Sequence, residues 1–187
     1  MNRRSFLGAS TGLGIAATTG GFLGRTLLYH DLTMDWGYGK LHDSDATFIE
    51  GGLSTANPET QYFAAVLTNE TAAERLNAET VGEGTSDLME TDFDEQFLLV
   101  VESRTTAENP FLLSYIPGAI ARNGVWSIRA AMMREPTELT DATETRSLVY
   151  SSVTVVDRDS LPTPNDVRID VYESIDANRR VATFHSD

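Results

Sequence analysis

Val167, Ile169 and Val171 alternate with Arg168, Asp170 and Tyr172. A period of two puts one set of side chains on each face of an extended strand, so this stretch lays three aliphatic groups on a core and turns three polar ones outward. A helix of the same residues would scatter the aliphatic groups around its axis. Trp126, Ile128 and Ala130 alternate with Ser127 and Arg129 in the same manner. Three other runs are apolar with little alternation: YFAAVL at 62–67, FLLVV at 97–101, and much of RSLVYSSVTVVD at 146–157. Runs this short, rich in β-branched and aromatic residues, predict strands covered on both faces. The last is long enough to bend or change sheets near Ser151 and Ser152.

Turn residues separate these runs. Asn123-Gly124 stands between the apolar stretches 111–116 and 124–133, which is a hairpin signal. SLPTPND and the Asp176 to Arg179 stretch mark two further turns, the second leading into a closing strand at 180–184. Met132 and Met133 read as core filler. The best helical candidate is TAAERLNA, with Thr71 as N-cap and Glu74 as its capping-box partner. A first edge strand is expected near Ala46–Glu50, after a turn-rich stretch around Trp36 to Lys40. The chain therefore reads as all-β and mainly antiparallel: a β-sandwich of about seven strands with at most one short helix, forming a single domain at 46–187 behind a linker at 30–45. The chain contains no cysteine. A domain of this length builds an ordinary core without disulfides.

Few residues carry recognisable chemistry. There is no thiol nucleophile, no Gly-x-Ser-x-Gly elbow, no P-loop and no strand-linked Gly-x-Gly-x-x-Gly. His30, His42 and His185 lack partners at metal-motif spacing. The one local cluster of possible cation ligands is His42, Asp43 and Asp45 around Ser44, an incomplete set more in keeping with a hydrated loop. Asp92 and Asp94 precede the 97–101 run and read as a solvated turn. No catalytic residue, resident metal or cofactor is assigned.

The charge balance bears on solvent and partners. The formal net charge is −14, from 28 acidic and 14 basic side chains. Residues 1–25 hold Arg3, Arg4 and Arg25 and no acid, so the remainder is more acidic still. Such self-repulsion loosens a compact state in dilute buffer but is nearly screened in brine, where the Debye length falls to about 3 Å at 1 M. Lys40 is the only lysine. With no basic cluster beyond the N-terminal segment, a nucleic-acid surface is not expected. The acids are spread between apolar runs, unlike a disordered acidic tail.

The first segment reads as an address. Ser5 to Gly24 is free of charge and rich in Gly, Ala, Ser and Thr, and it follows a basic start. Within it, Arg3, Arg4, Phe6 and Leu7 stand at the spacing of the twin-arginine translocation signal, which NRRSFLG resembles. The resemblance implies export by the twin-arginine translocase, which becomes the expected partner of residues 1–29. Together with the acidic, lysine-poor body, it is similar to exported proteins of haloarchaeal type. Retained as a helix, residues 5–29 would extend about 37 Å, enough to anchor the chain in a membrane. The expected location is extracellular or at the cell surface. The expected role is a salt-adapted binding module for a protein or glycan. The alternatives are a secreted carboxylate-dependent hydrolase, or an accessory domain of one, and a structural envelope component.

Overall fold

The computed structural model describes residues 33–122, 125–134, 147–158, 161–164 and 166–187. Among them are eight strands: β1 (Thr33–Asp43), β2 (Tyr62–Leu67), β3 (Gln96–Thr106), β4 (Phe111–Arg122), β5 (Val125–Arg134), β6 (Ser147–Asp157), β7 (Asp166–Tyr172) and β8 (Arg180–His185). They form two four-stranded sheets, one ordered β1-β6-β3-β2 and the other β4-β5-β7-β8. All pairs are antiparallel except β5 with β7, which run parallel. Among the described residues no helix is long and apolar enough to cross a membrane. The expected signal or anchor helix lies outside the described residues.

The mainly antiparallel, all-β architecture expected from the sequence is present, and the core explains the two kinds of apolar run. Strands β5 and β7 belong to an outer sheet, so alternate residues face inward: Trp126, Ile128 and Ala130, with Met132 partly buried beyond them, and Val167, Ile169 and Val171. They meet Ala64, Phe97, Leu99, Val101 and Val156 of the first sheet. Phe97 and Trp126 pack edge to face at 5.1 Å across this layer, and Tyr62 of β2 stacks on Phe184 of β8 at its side. Strands β3 and β6 are central and covered on both faces, so their residues are buried almost without break. Their second face carries Leu98, Val100, Val149, Val153 and Val155 beneath a layer formed by residues 47–56 and 69–95.

Among the described residues that layer holds three one-turn α-helices, α1 (Glu70–Ala73), α2 (Ala78–Val81) and α3 (Thr85–Met89), with a 3-10 turn at Gly82–Gly84 joining the last two, where at most one short helix was expected. The N-cap of α1 is Asn69, not Thr71: its side-chain oxygen accepts from the Ala72 amide at 2.8 Å. Asn77 then caps α2. Two asparagines eight residues apart divide what reads as one amphipathic segment.

Two further expectations differ. The first edge strand is β1 at Thr33–Asp43, within the stretch assigned to a linker, while Ala46–Glu50 contributes only an isolated bridge from Ile49 to Leu76. Its glycines hid it: a β-carbon on Gly39 would sit 2.4 Å from the Tyr150 hydroxyl, so the absence of a side chain lets the ring lie against the strand. The long 146–157 run does not change sheets. Strand β6 pairs with β1 and β3 over Ser147–Asp157, with no register shift against β3. Ser151 and Ser152 are buried in a continuous central strand. Strands β4 and β5 pair antiparallel with Arg122 opposite Val125, while Asn123-Gly124, where the hairpin turn is expected, lies outside the described residues.

Candidate functional site

Cross-strand register brings Lys40, Ser151, Glu102 and Phe63 into one row across the first sheet, beneath the 47–56 loop. Glu102 is the one fully buried carboxylate among the described residues, at 0% exposure. A charge there requires satisfied acceptors. Its Oε1 accepts from the Phe48 amide at 2.9 Å and from the Ser151 hydroxyl at 3.1 Å, and its Oε2 accepts from the Leu53 amide at 2.8 Å. Burial raises the pKa of Glu102, while the Leu53 and Phe48 amides and the Ser151 hydroxyl pull it back. The side chain ties an irregular loop to the sheet by supplying acceptors that the loop lacks in itself.

His42 extends the chain of contacts. Its Nε2 lies 2.9 Å from Ser151 Oγ and its Nδ1 3.2 Å from the Asp43 carbonyl. The ring stacks on Phe48 at 5.6 Å. Desolvation lowers its pKa. With the one Ser151 hydroxyl proton donated to Glu102, Nε2 carries the single N–H of the neutral ring and donates it to Ser151 Oγ, which leaves Nδ1 no proton for the Asp43 carbonyl. A serine within 3 Å of a histidine has the reach of a nucleophile and its base. Here, however, the acid bonds the serine and not the histidine, and Ser151 is fully buried. The trio acts as a clamp.

Glycine at position 52 is part of that clamp. A β-carbon there would fall 2.4 Å from Glu102 Oε2 and 3.1 Å from Ile49 Cγ2. Because Glu102 is held by three hydrogen bonds, it cannot swing aside. Gly52→Ala is expected to destabilise the domain by about 1–3 kcal/mol, read as a lower urea midpoint at unchanged slope. An unchanged midpoint would mean the loop is not held against Glu102.

The other acids lie outside. A shallow polar concavity of about 420 Å³ is lined by Asn69, Glu70, Thr71, Thr91, Asp92, Phe93 and Asp94. Asp92 Oδ1 accepts from the Asp94 amide at 3.0 Å in an exposed turn. The cluster of His42, Asp43 and Asp45 is not gathered around one point: the His42 ring turns inward to Ser151, and Asp43 closes a turn to Ala46. Among the described residues there is no group of three or more His, Asp or Glu side chains placed to hold a metal ion. His30 and the export-signal residues Arg3, Arg4, Phe6 and Leu7 lie outside the described residues.

The outer face of the second sheet gathers cations that the sequence does not advertise. Asp170 on β7 accepts from Arg168 at 3.0 Å, from Arg180 at 3.1 Å and from the Thr183 hydroxyl at 2.6 Å. Partial burial pushes its pKa up, but the Thr183 bond and then the two arginines outweigh this and hold the carboxyl below its ordinary value. Arg129, in register with Asp170, lies with its guanidinium 4.6 Å from the centre of the Tyr172 ring. Its buried Nε has no hydrogen-bond partner among the described residues. Alternation in β5 and β7 was the available signal, since it places Arg129, Arg168 and Asp170 on the outward face. Their meeting depended on the parallel β5–β7 pairing, which no local pattern encodes.

Comparison of the chain with protein-family models, curated proteins and solved structures finds no match.

Proposed function

We propose that the chain is an exported, salt-adapted β-sandwich module that works at the cell surface or outside the cell by binding a protein or glycan partner, not by catalysis. The observation that carries this reading is the use made of the buried polar groups: His42, Ser151 and Glu102 are consumed in holding the 47–56 loop, and the hydroxyl at their centre is closed to substrate. The remaining acids of the 69–95 layer are exposed and lie along a polar surface instead of converging in an apolar cleft. A hydrolase working through paired carboxylates needs two acids flanking a bound substrate.

The test is retention. The purified protein, immobilised in concentrated salt, is expected to retain one surface protein or one glycan class saturably from a cell-envelope extract. Turnover of a glycoside or ester panel by the same preparation, abolished by Asp92→Asn or Asp94→Asn, would replace this reading with the hydrolase. Export has its own test. Arg3→Lys with Arg4→Lys is expected to leave precursor inside the cell, measured by fractionation and intact mass. Undiminished export of that variant would remove the twin-arginine assignment. The same mass measurement distinguishes a cleaved, diffusible chain from one anchored through residues 5–29.

A further inference from the structure

The residues Asn69-Glu70-Thr71 form a motif that the fold uses only in part. Asn69 is the one asparagine of the chain with Ser or Thr two positions on, and the residue between them is not proline. That spacing is the acceptor signal for N-linked glycosylation, a modification of surface positions in exported proteins. The structure explains the asparagine: its Oδ1 caps α1 by accepting from the Ala72 amide at 2.8 Å. Ser or Asp would cap as well. It gives no such reason for the threonine. Thr71 lies within α1, where a β-branched residue is a poorer helix former than Ala or Glu, and its side chain is exposed with no hydrogen bond among the described residues.

The site is open to modification. Asn69 is exposed, and with Oδ1 committed to Ala72 its Nδ2 has no hydrogen-bond partner among the described residues. N-linkage replaces one hydrogen on Nδ2 and leaves Oδ1 an amide carbonyl, so the cap survives it. A transferase must take these residues in its own conformation, and a helix of four residues opens at little cost. Beside the amide lies the polar concavity of about 420 Å³, which Asn69 and Thr71 line together with Thr91, Asp92, Phe93 and Asp94. Its carboxylates and hydroxyls can accept from saccharide hydroxyl groups, and Phe93 adds an apolar wall. The first saccharide residue therefore has space and polar partners next to its point of attachment.

We propose that Asn69 is N-glycosylated outside the cytoplasm, as the acceptor of a saccharide delivered from a lipid-linked saccharide phosphate. The inference rests on the export reading of residues 1–29 and goes beyond the proposed function, since the glycan is one the chain carries and not one it binds. In the transfer, a bond forms between Nδ2 and the anomeric carbon of the saccharide as the bond from that carbon to the phosphate oxygen breaks. The lipid phosphate leaves with the electron pair, and Nδ2 gives up one proton to a base of the membrane transferase. Nothing is oxidised or reduced. Thr71 is the part of the signal that the transferase reads. That role supplies the reason for a threonine which the fold itself does not require.

Mass spectrometry of the full chain, recovered from the medium and the cell envelope of its own host, tests the inference. Trypsin cuts after Lys40 and Arg75, so Asn69 is carried on the 41–75 peptide. That peptide is expected to show a mass excess of whole saccharide residues, which fragmentation places on Asn69. Asn69→Asp keeps a capping oxygen but has no amide nitrogen, and Thr71→Ala leaves the cap untouched. Each is expected to lose the excess entirely, while Thr71→Ser, which preserves the signal, should keep it. An exported wild-type chain whose 41–75 peptide has its unmodified mass overturns the inference and leaves export standing. An excess that persists in Asn69→Asp overturns it as well, because the saccharide is then on a hydroxyl. A wild-type chain found only in the cytoplasm removes the export reading, and this inference with it.

Discussion

Glu102→Ala is expected to lower the unfolding free energy by about 3–5 kcal/mol, because it strands buried donors and leaves a cavity beneath the loop. The donors are the Phe48 and Leu53 amides and the Ser151 hydroxyl. Glu102→Gln keeps the shape and one acceptor but sets an amide N–H against the Leu53 N–H, at a cost of about 1–3 kcal/mol. Urea denaturation measures both, and a loss within about 0.5 kcal/mol for the alanine variant would place it with ordinary surface substitutions and sink the clamp. The pH dependence has a definite sign. Burial raises the folded pKa of Glu102 above its ordinary 4.5. The folded state therefore binds this proton more tightly, and stability rises as pH falls from the folded pKa towards 4.5. Asp170 behaves oppositely: its pKa is lowered from 3.8, so its contribution is complete above that value and is lost as pH falls through the folded pKa. An acid titration should show a gain followed by a loss. Glu102→Gln should remove the gain and spare the loss.

Dilution from concentrated to low salt is expected to unfold the domain cooperatively, as the salt-adapted reading requires. The repulsion is concentrated where the fold is least regular, in the 69–95 layer of one-turn helices and exposed acids. Such helices have no stability of their own and depend on packing Ala73, Leu76, Val81 and Leu88 against the first sheet. Once screening is withdrawn, the acids repel one another across a surface held by those contacts and a few hydrogen bonds, among them Asn77 N–H to the Phe48 carbonyl and Arg158 to the Phe93 carbonyl. Far-ultraviolet circular dichroism along a salt series, with refolding on return to high salt, measures the effect. A cooperative native fold at about 0.1 M salt, where the Debye length is about 10 Å, would contradict the reading. Charge reversal within the layer, as in Asp87→Lys with Glu90→Lys, should move the midpoint to lower salt.

The strands legible in the sequence were those whose own residues carry the period or the apolar run. Val167 to Val171 and Trp126 to Ala130 state which face is buried, and Phe97 to Val101 states that both are. Strand β1 was illegible because two of its residues, Gly37 and Gly39, lack side chains to show a period, and a bulge between Met34 and Trp36 breaks the remainder. The role of Glu102 was illegible for a different reason. It follows the apolar run 97–101 inside β3, so that Glu102 and Ser103 look like the polar end of the run, and the amides that demand its acceptors lie about 50 residues earlier in a loop. A carboxylate in an acid-rich chain draws no notice until the fold shows that, among the described residues, it alone is fully inside.

Strand β1 has one neighbour, β6, and the register joins Thr33 to Asp157 and Asp43 to Leu148. The first-made strand of its sheet must therefore wait on the order of 100 residues for its only partner, roughly 5–20 s at a synthesis rate of 5–20 residues per second. During that interval Trp36 and Tyr38 have no sheet to lie on, and β2 and β3 can zip together without them. The order of assembly is expected to run against the order of synthesis: β2 and β3, with the 68–95 segment between them, pair before β6 adds to β3, and the N-terminal strand closes the edge last. Maturation of this domain is a late event governed by loop closure, and β1 is the element whose amides should be the last to gain protection in pulsed hydrogen exchange.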